Sequence, residues 1–187
     1  MIGYAICGSF CTHKKTLEIL KSLCESGNEV TPILSEICAS TNTRFGNSSD
    51  LLASVKQITG HSPVLTITEA EPLGPSRPLD ALIIAPCTGN TLAKIANGIT
   101  DTAVCMAAKA HMRTSRPLLI ALASNDALSA NLENIAKLLS KKNVYFVPMF
   151  QDDPQCKPHS LVADFERIPL ALKSMLDSTQ LRPIFLE

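Results

Sequence analysis

Short aliphatic runs alternate along this chain with longer segments whose apolar residues recur at helical spacing. Residues 2–7 read as a buried strand. Residues 12–26 place Leu17, Leu20, Leu23 and Cys24 on one face and predict a helix. Thr12 is its expected N-cap and Gly27 its expected stop. Residues 29–34 form the next strand, and 48–59 a helix ending before Gly60. The run DALIIA at 80–85 predicts a strongly apolar strand halted by Pro86. Residues 91–96 and 101–112 predict helices, 117–123 a buried strand, 127–141 a helix and 144–147 a strand. The stretches 68–78 and 151–158 are rich in proline and read as loops. From Leu170 a short helix is expected, then an apolar end at 183–186 that adds an edge strand or packs on a neighbour.

Continuous aliphatic strands separated by helices imply an α/β fold: a doubly wound, mostly parallel sheet with helices on both faces. Residues 1–187 read as a single domain. In such sheets ligands bind outside the carboxyl ends of the strands. The loops that follow Cys7, Leu34, Ala85 and Ala123 are all small and polar, as a ligand-lined edge requires.

Composition narrows the function classes. Lys plus Arg equals Asp plus Glu, 17 each, so no global field draws the chain to nucleic acid or to an anionic membrane. Tryptophan is absent and aromatics are 4%, which disfavours a base-stacking surface. The seven cysteines include no CxxC pair and fit a reducing, cytoplasmic setting. The amino end lacks the basic start and long apolar core of a signal peptide, and no stretch has the length of a membrane span. Neither HExxH nor a His/Cys cluster with metal spacing occurs, so no metal is expected.

Two loops carry the strongest candidate chemistry. At Gly8-Ser9-Phe10 a strand runs into glycine, a hydroxyl and a helix start. Glycine admits close approach of backbone N–H groups to an anion, and a helix amino end supplies unpaired donors. An ordinary strand–helix turn has the same composition. Neither GxGxxG nor GxxxxGK[ST] is present, which argues against a dinucleotide loop or a P-loop. At Pro86-Cys87-Thr88-Gly89-Asn90-Thr91, hydroxyl and amide groups gather at a second helix start. They suit a ring edge and a polyol chain, or simply a capped helix. Together the two loops point to a phosphate-bearing ligand. Ser35, Ser124 and Asn125 stand at equivalent strand ends. Arg44 is a candidate clamp for a carboxylate or phosphate, or a solvated loop arginine. Asp101 is expected to cap the helix that follows it, or else to contact a neighbouring subunit, and Cys87 is a weak candidate nucleophile with no histidine fixed beside it by sequence.

At these loops the chain resembles the flavoprotein family of homo-oligomeric flavin-containing cysteine decarboxylases. The segments that carry the likeness are GSF, APCTGNTLAKIANGITD and the Asp101 helix. A longer likeness, over STNTRFG, EPLGP, PLDALIIAPCTGNTLAKIANGITD, SNDAL, KNVYFVP and QDDPQCKPHSLVADF, is to the family of dipicolinate synthase B subunits.

The resemblance implies a Rossmann-like flavoprotein fold and a cytoplasmic role in a sporulating bacterium, in its mother cell. The implied reaction oxidises dihydrodipicolinate to dipicolinate, with an NADP-dependent A subunit as partner. It also implies a homo-oligomer built of trimers. Flavin mononucleotide (FMN), or phosphate in its place, would sit on Gly8, Ser9, Phe10, Ser35, Pro86, Cys87, Thr88, Gly89, Asn90, Thr91, Ser124 and Asn125. The dicarboxylate substrate needs cations, for which Arg44, Lys157 and His159 are the candidates. The chain departs from the decarboxylases in two places. Glu71-Pro72-Leu73-Gly74-Pro75 stands where they carry a catalytic histidine, and Ser124 to Leu128 replaces their substrate clamp. The alternatives are a non-catalytic partner of the A subunit and, more remotely, a flavin-dependent decarboxylase.

Overall fold

The computed structural model describes all residues, 1–187. Its centre is four parallel strands in the order β2-β1-β3-β4: β1 Ile2–Ile6, β2 Val30–Leu34, β3 Ala81–Cys87 and β4 Leu118–Ser124. β5, Val144–Phe146, pairs in parallel with the first half of β4. The end of β4 pairs instead with β7, Leu161–Ala163, which carries the two-residue β6, Met149–Phe150, both antiparallel. These short strands add an antiparallel corner to an otherwise parallel sheet.

The sheet separates two cores because alternate residues of each strand face opposite ways. Tyr4 and Ile6 pack under α1 (His13–Glu25), α3 (Ser48–Thr59) and α8 (Ile168–Leu176). Ala5 and Cys7 face α5 (Gly89–Ala96), α6 (Ala103–Met112) and α7 (Leu132–Leu139). α2 is a single turn-and-a-half, Glu36–Ser40, straight after β2. A deep polar link is made by Thr16, whose hydroxyl donates to the Ala85 carbonyl at 2.6 Å and lies 3.0 Å from the Tyr4 hydroxyl.

Several expectations are corrected. Thr12 stands at the N-cap position of α1 as expected but makes no side-chain cap bond, because a 3₁₀ turn at Phe10–Thr12 leads straight into the helix and its hydroxyl donates back to the Ser9 carbonyl. Pro86 does not halt β3, which runs to Cys87. The proline lacks an N–H, and the β3–β4 register slips between Ile84 and Cys87. Residues 68–78 are not all loop: α4, Ile67–Ala70, is held by a capping box of Thr66 and Glu69 and leads into a 3₁₀ turn, Glu71–Leu73. α7 begins at Leu132 rather than 127, because Asp126 holds the preceding turn through Ser129 and Asn131. α6 is capped by Thr102, not Asp101. The tail makes one bridge beside β6, Met149 to Phe185.

Candidate functional site

The chain leaves β1 for β2 on one side and returns to β3 on the other side of β1. The loops after β1 and β3 therefore diverge, which opens a crevice at the carboxyl edge between them. A cavity of about 520 Å³ lies there, with Gly8 and Ser35 on one side and Thr88, Asn90, Thr91 and Lys94 on the other. Glu36, Ile37, Ser40, Thr41 and Thr102 complete it.

The crevice is rich in donors. The backbone N–H groups of Gly8, Glu36, Ile37 and Asn90 have no acceptor within the chain, as first-turn and loop amides lack intrahelical partners. α5 begins at Gly89, so its positive dipole end faces this crevice. Thr88 caps α5 by accepting from the Thr91 N–H at 3.2 Å, and its hydroxyl donates to Thr91 Oγ1. Thr91 in turn donates to the Cys7 sulfur at 3.4 Å. That relay fixes the start of α5 and leaves the exposed Asn90 amide without a protein partner. Lys94 Nζ sits 2.9 Å from Asp101, whose carboxyl is held below its ordinary range mainly by this hydrogen bond.

The structure separates the expected site residues into three groups. Gly8, Ser35, Thr88, Asn90 and Thr91 come together at the cavity. Ser9, Gly89, Ser124 and Asn125 stand behind or beside it. Ser9 Oγ donates to the Ala123 carbonyl, and Ser124 donates to Asp126. A side chain on Gly89 would put its Cβ 2.6 Å from Asn131 Nδ2, so glycine lets α5 close on the β4 loop. Phe10 faces a neighbouring hollow of about 330 Å³ with His13, Cys38 and Phe45. Pro86 and Cys87 are buried. Burial pushes the Cys87 thiol well above its ordinary value, which corrects its candidacy as a nucleophile.

Arg44, Lys157 and His159 are not among the cavity-lining residues. The Arg44 guanidinium lies 4.8 Å from the Phe45 ring centroid. Lys157 pairs with Asp152 at 2.7 Å, and His159 is exposed. Sequence reasoning missed Lys94, which is the cation that does line the crevice. Its signal was its place one turn after Asn90 on the same helix. Glu71 to Pro75 precede β3, hence lie at the opposite edge of the sheet, with Gly74 packed against the Ala110 backbone. The lack of a histidine there leaves this chain's own crevice unchanged.

A family model described as Flavoprotein matches residues 1–169. The chain belongs to the flavoprotein family. Within it, the chain is 42% identical over 186 residues to the B subunit of dipicolinate synthase from Bacillus subtilis (strain 168), covering 100% of this chain and 93% of that one. The crystal structure of the corresponding dipicolinate synthase B subunit from Bacillus halodurans C superposes with a TM-score of 0.91 at 42% identity, covering 100% and 95%. The FMN-dependent cysteine decarboxylase SpaF shares the flavoprotein fold, at a TM-score of 0.68, 20% identity and 95% coverage of both chains. No helix is long and apolar enough to cross a membrane.

Proposed function

We propose that this flavoprotein is the B subunit of a dipicolinate synthase and that its switch-point crevice holds FMN. The observation that carries the reading is the donor set at this crevice. Unpaired amides, the Thr88 and Ser35 loops, the Asn90 amide and Lys94 line one cavity in a chain 42% identical to such B subunits. Oriented amides and a cation suit a phosphate, hydroxyls and an amide suit a polyol and a ring edge, and Ile37 offers an apolar surface. A volume of about 520 Å³ is in the range that takes a mononucleotide-sized ligand. When bound, the flavin supplies a ring able to accept and release hydride. The chain's own groups orient it, and the unpaired amides with Lys94 offer hydrogen bonds to its phosphate.

In the full reading, an A subunit carrying NADP works with this chain to oxidise dihydrodipicolinate to dipicolinate in the cytoplasm of a sporulating cell. A trimer-based assembly belongs to the same reading. Arg44, Lys157 and His159, on loops outside the crevice, are then the groups to test for substrate carboxylates. The deciding experiment is reconstitution: dipicolinate formation by the A subunit on its own, and by the A subunit with this chain. A higher rate with both, lost in Asn90→Ala while the complex still assembles, supports a catalytic role. Full rate from the A subunit on its own overturns it.

A second reading, a non-catalytic partner that stabilises the A subunit, rests on a separate observation. The His13 ring lies 2.8 Å from the Cys7 carbonyl, and burial lowers its basicity. Burial likewise raises the Cys7 thiol to about 12. Burial thus favours the neutral form of both groups. An Asn90→Ala chain that supports the full rate would favour this second reading.

A further inference from the structure

A second cleft lies at the opposite, amino-end edge of the sheet. It is formed where α5, α6 and α7 all end, and has a volume of about 440 Å³. Lys109, Arg113, Arg116, Lys141 and Lys142 line it, and no carboxylate does. The chain as a whole has no net charge, so gathering these five cations in one concavity is a strong local asymmetry.

Helix ends give the simplest competing account, since cations are favoured at carboxyl termini. The magnitudes do not balance. Each terminus carries roughly half a negative charge, so three offset only part of five cations. Arg116 is further offset by Asp80 at 3.6 Å, yet Asp80 is shared with the amino terminus at 2.6 Å. Lys109, Arg113, Lys141 and Lys142 make no ion pair within 4.0 Å, so no carboxylate of the chain offsets them directly. Roughly two to three positive charges thus remain uncompensated around one hollow.

The cleft is also held in shape. Ser115 and Asn143 both adopt positive φ, 58° and 64°, closing the turns after α6 and α7. The Asn143 amide donates to the Ser115 carbonyl at 2.7 Å, which ties the Arg113–Arg116 turn to the Lys141–Lys142 turn. Ile95, Ile99 and Met112 supply its apolar lining. Cations beside an apolar lining suit a ligand with an apolar body and several negative groups.

We infer that this cleft binds a small organic polyanion, bearing carboxylates or phosphates on an apolar body, at a site separate from the switch-point crevice. Neither flavin binding nor a dipicolinate synthase role is assumed. The test is calorimetric titration of the full chain with pyridine-2,6-dicarboxylate, adenosine diphosphate and inorganic pyrophosphate at low and high salt. Binding that weakens with salt, and at least ten-fold in an Arg113→Gln/Lys142→Gln chain, is expected. Tightest binding by the dicarboxylate, or by adenosine diphosphate, tells which organic anion the cleft takes; binding of pyrophosphate as tight as either overturns the role given to the apolar body. Asn90→Ala must leave this binding intact; if it abolishes it, the anion sits in the crevice and the inference fails. It also fails if no probe binds, if the double variant binds equally well, or if the variant only changes the oligomeric state. The last result would make the face a contact between copies. Thermal unfolding of the double variant at the wild-type temperature excludes misfolding as the cause of a loss.

Discussion

Ser9 Oγ donates to the carbonyl of Ala123 at 3.0 Å, joining the loop after β1 to the end of β4 across 114 residues of chain. The hydroxyl that the sequence offers to a phosphate is thus committed to holding two loops of the carboxyl edge together. Ser9→Ala is expected to lower unfolding free energy by about 1 kcal/mol, the net worth of one hydrogen bond. Denaturant unfolding measures it, and an unchanged midpoint contradicts it. Ligand affinity should fall less than in Asn90→Ala, whose amide has no such duty.

Thr16 is fully buried and serves two partners, the Ala85 carbonyl and the Tyr4 hydroxyl. Thr16→Val keeps the shape but leaves both without this hydroxyl. The Tyr4 hydroxyl keeps its bond to the Thr16 backbone carbonyl at 3.1 Å, so the loss falls chiefly on the Ala85 carbonyl and is expected to be about 2 kcal/mol, because an unsatisfied buried polar group costs more than the bond itself contributed. A loss no larger than that of Ser9→Ala would contradict the role assigned to Thr16.

His13 and His111 are both made less basic, chiefly by burial. Each therefore takes up its proton more readily in the unfolded chain. Stability then rises with pH where the unfolded state binds more protons. It should fall as pH drops below about 6.5, the ordinary histidine value, and keep falling to the depressed native values. His111→Gln should flatten that slope in denaturant titrations across this window, relative to wild type at each pH. An unchanged slope would show that His111 does not contribute.

Thiol reactivity should follow burial. Cys11 and Cys156 are exposed, whereas Cys7, Cys38, Cys87 and Cys105 are buried. Burial raises the Cys38 thiol to about 11 and Cys7 to about 12. Alkylation of the native chain near neutral pH, read by peptide mass spectrometry, should label Cys11 and Cys156 first. Rapid labelling of Cys87 would restore it as a candidate nucleophile.

The sheet was legible because its strands are unbroken aliphatic runs such as 80–85 and 117–123, which only a sheet covered on both faces can bury. Helix 48–59 was legible from its spacing and Gly60. The residue at a helix start was less so. Asp101 and Thr102 both make good caps, and pairing with Lys94 decided between them. β7 is too short, at three residues, to show a period, and the Asp126 turn erased the first part of the helix expected from 127. At the crevice, sequence placed the loops at one edge but not their orientation. Hence Gly8, Ser35 and Asn90 fell where expected, Lys94 was missed, and Ser124 turned to Asp126.

The most direct test of the crevice as a flavin site is titration of FMN into the purified, ligand-stripped chain, followed by quenching of flavin fluorescence. The account predicts saturable, stoichiometric binding. It predicts roughly ten-fold weaker binding in Asn90→Ala and in Lys94→Gln, which remove a neutral donor and the lining cation. Absence of saturable binding, or equal affinity in wild type and both variants, would contradict it.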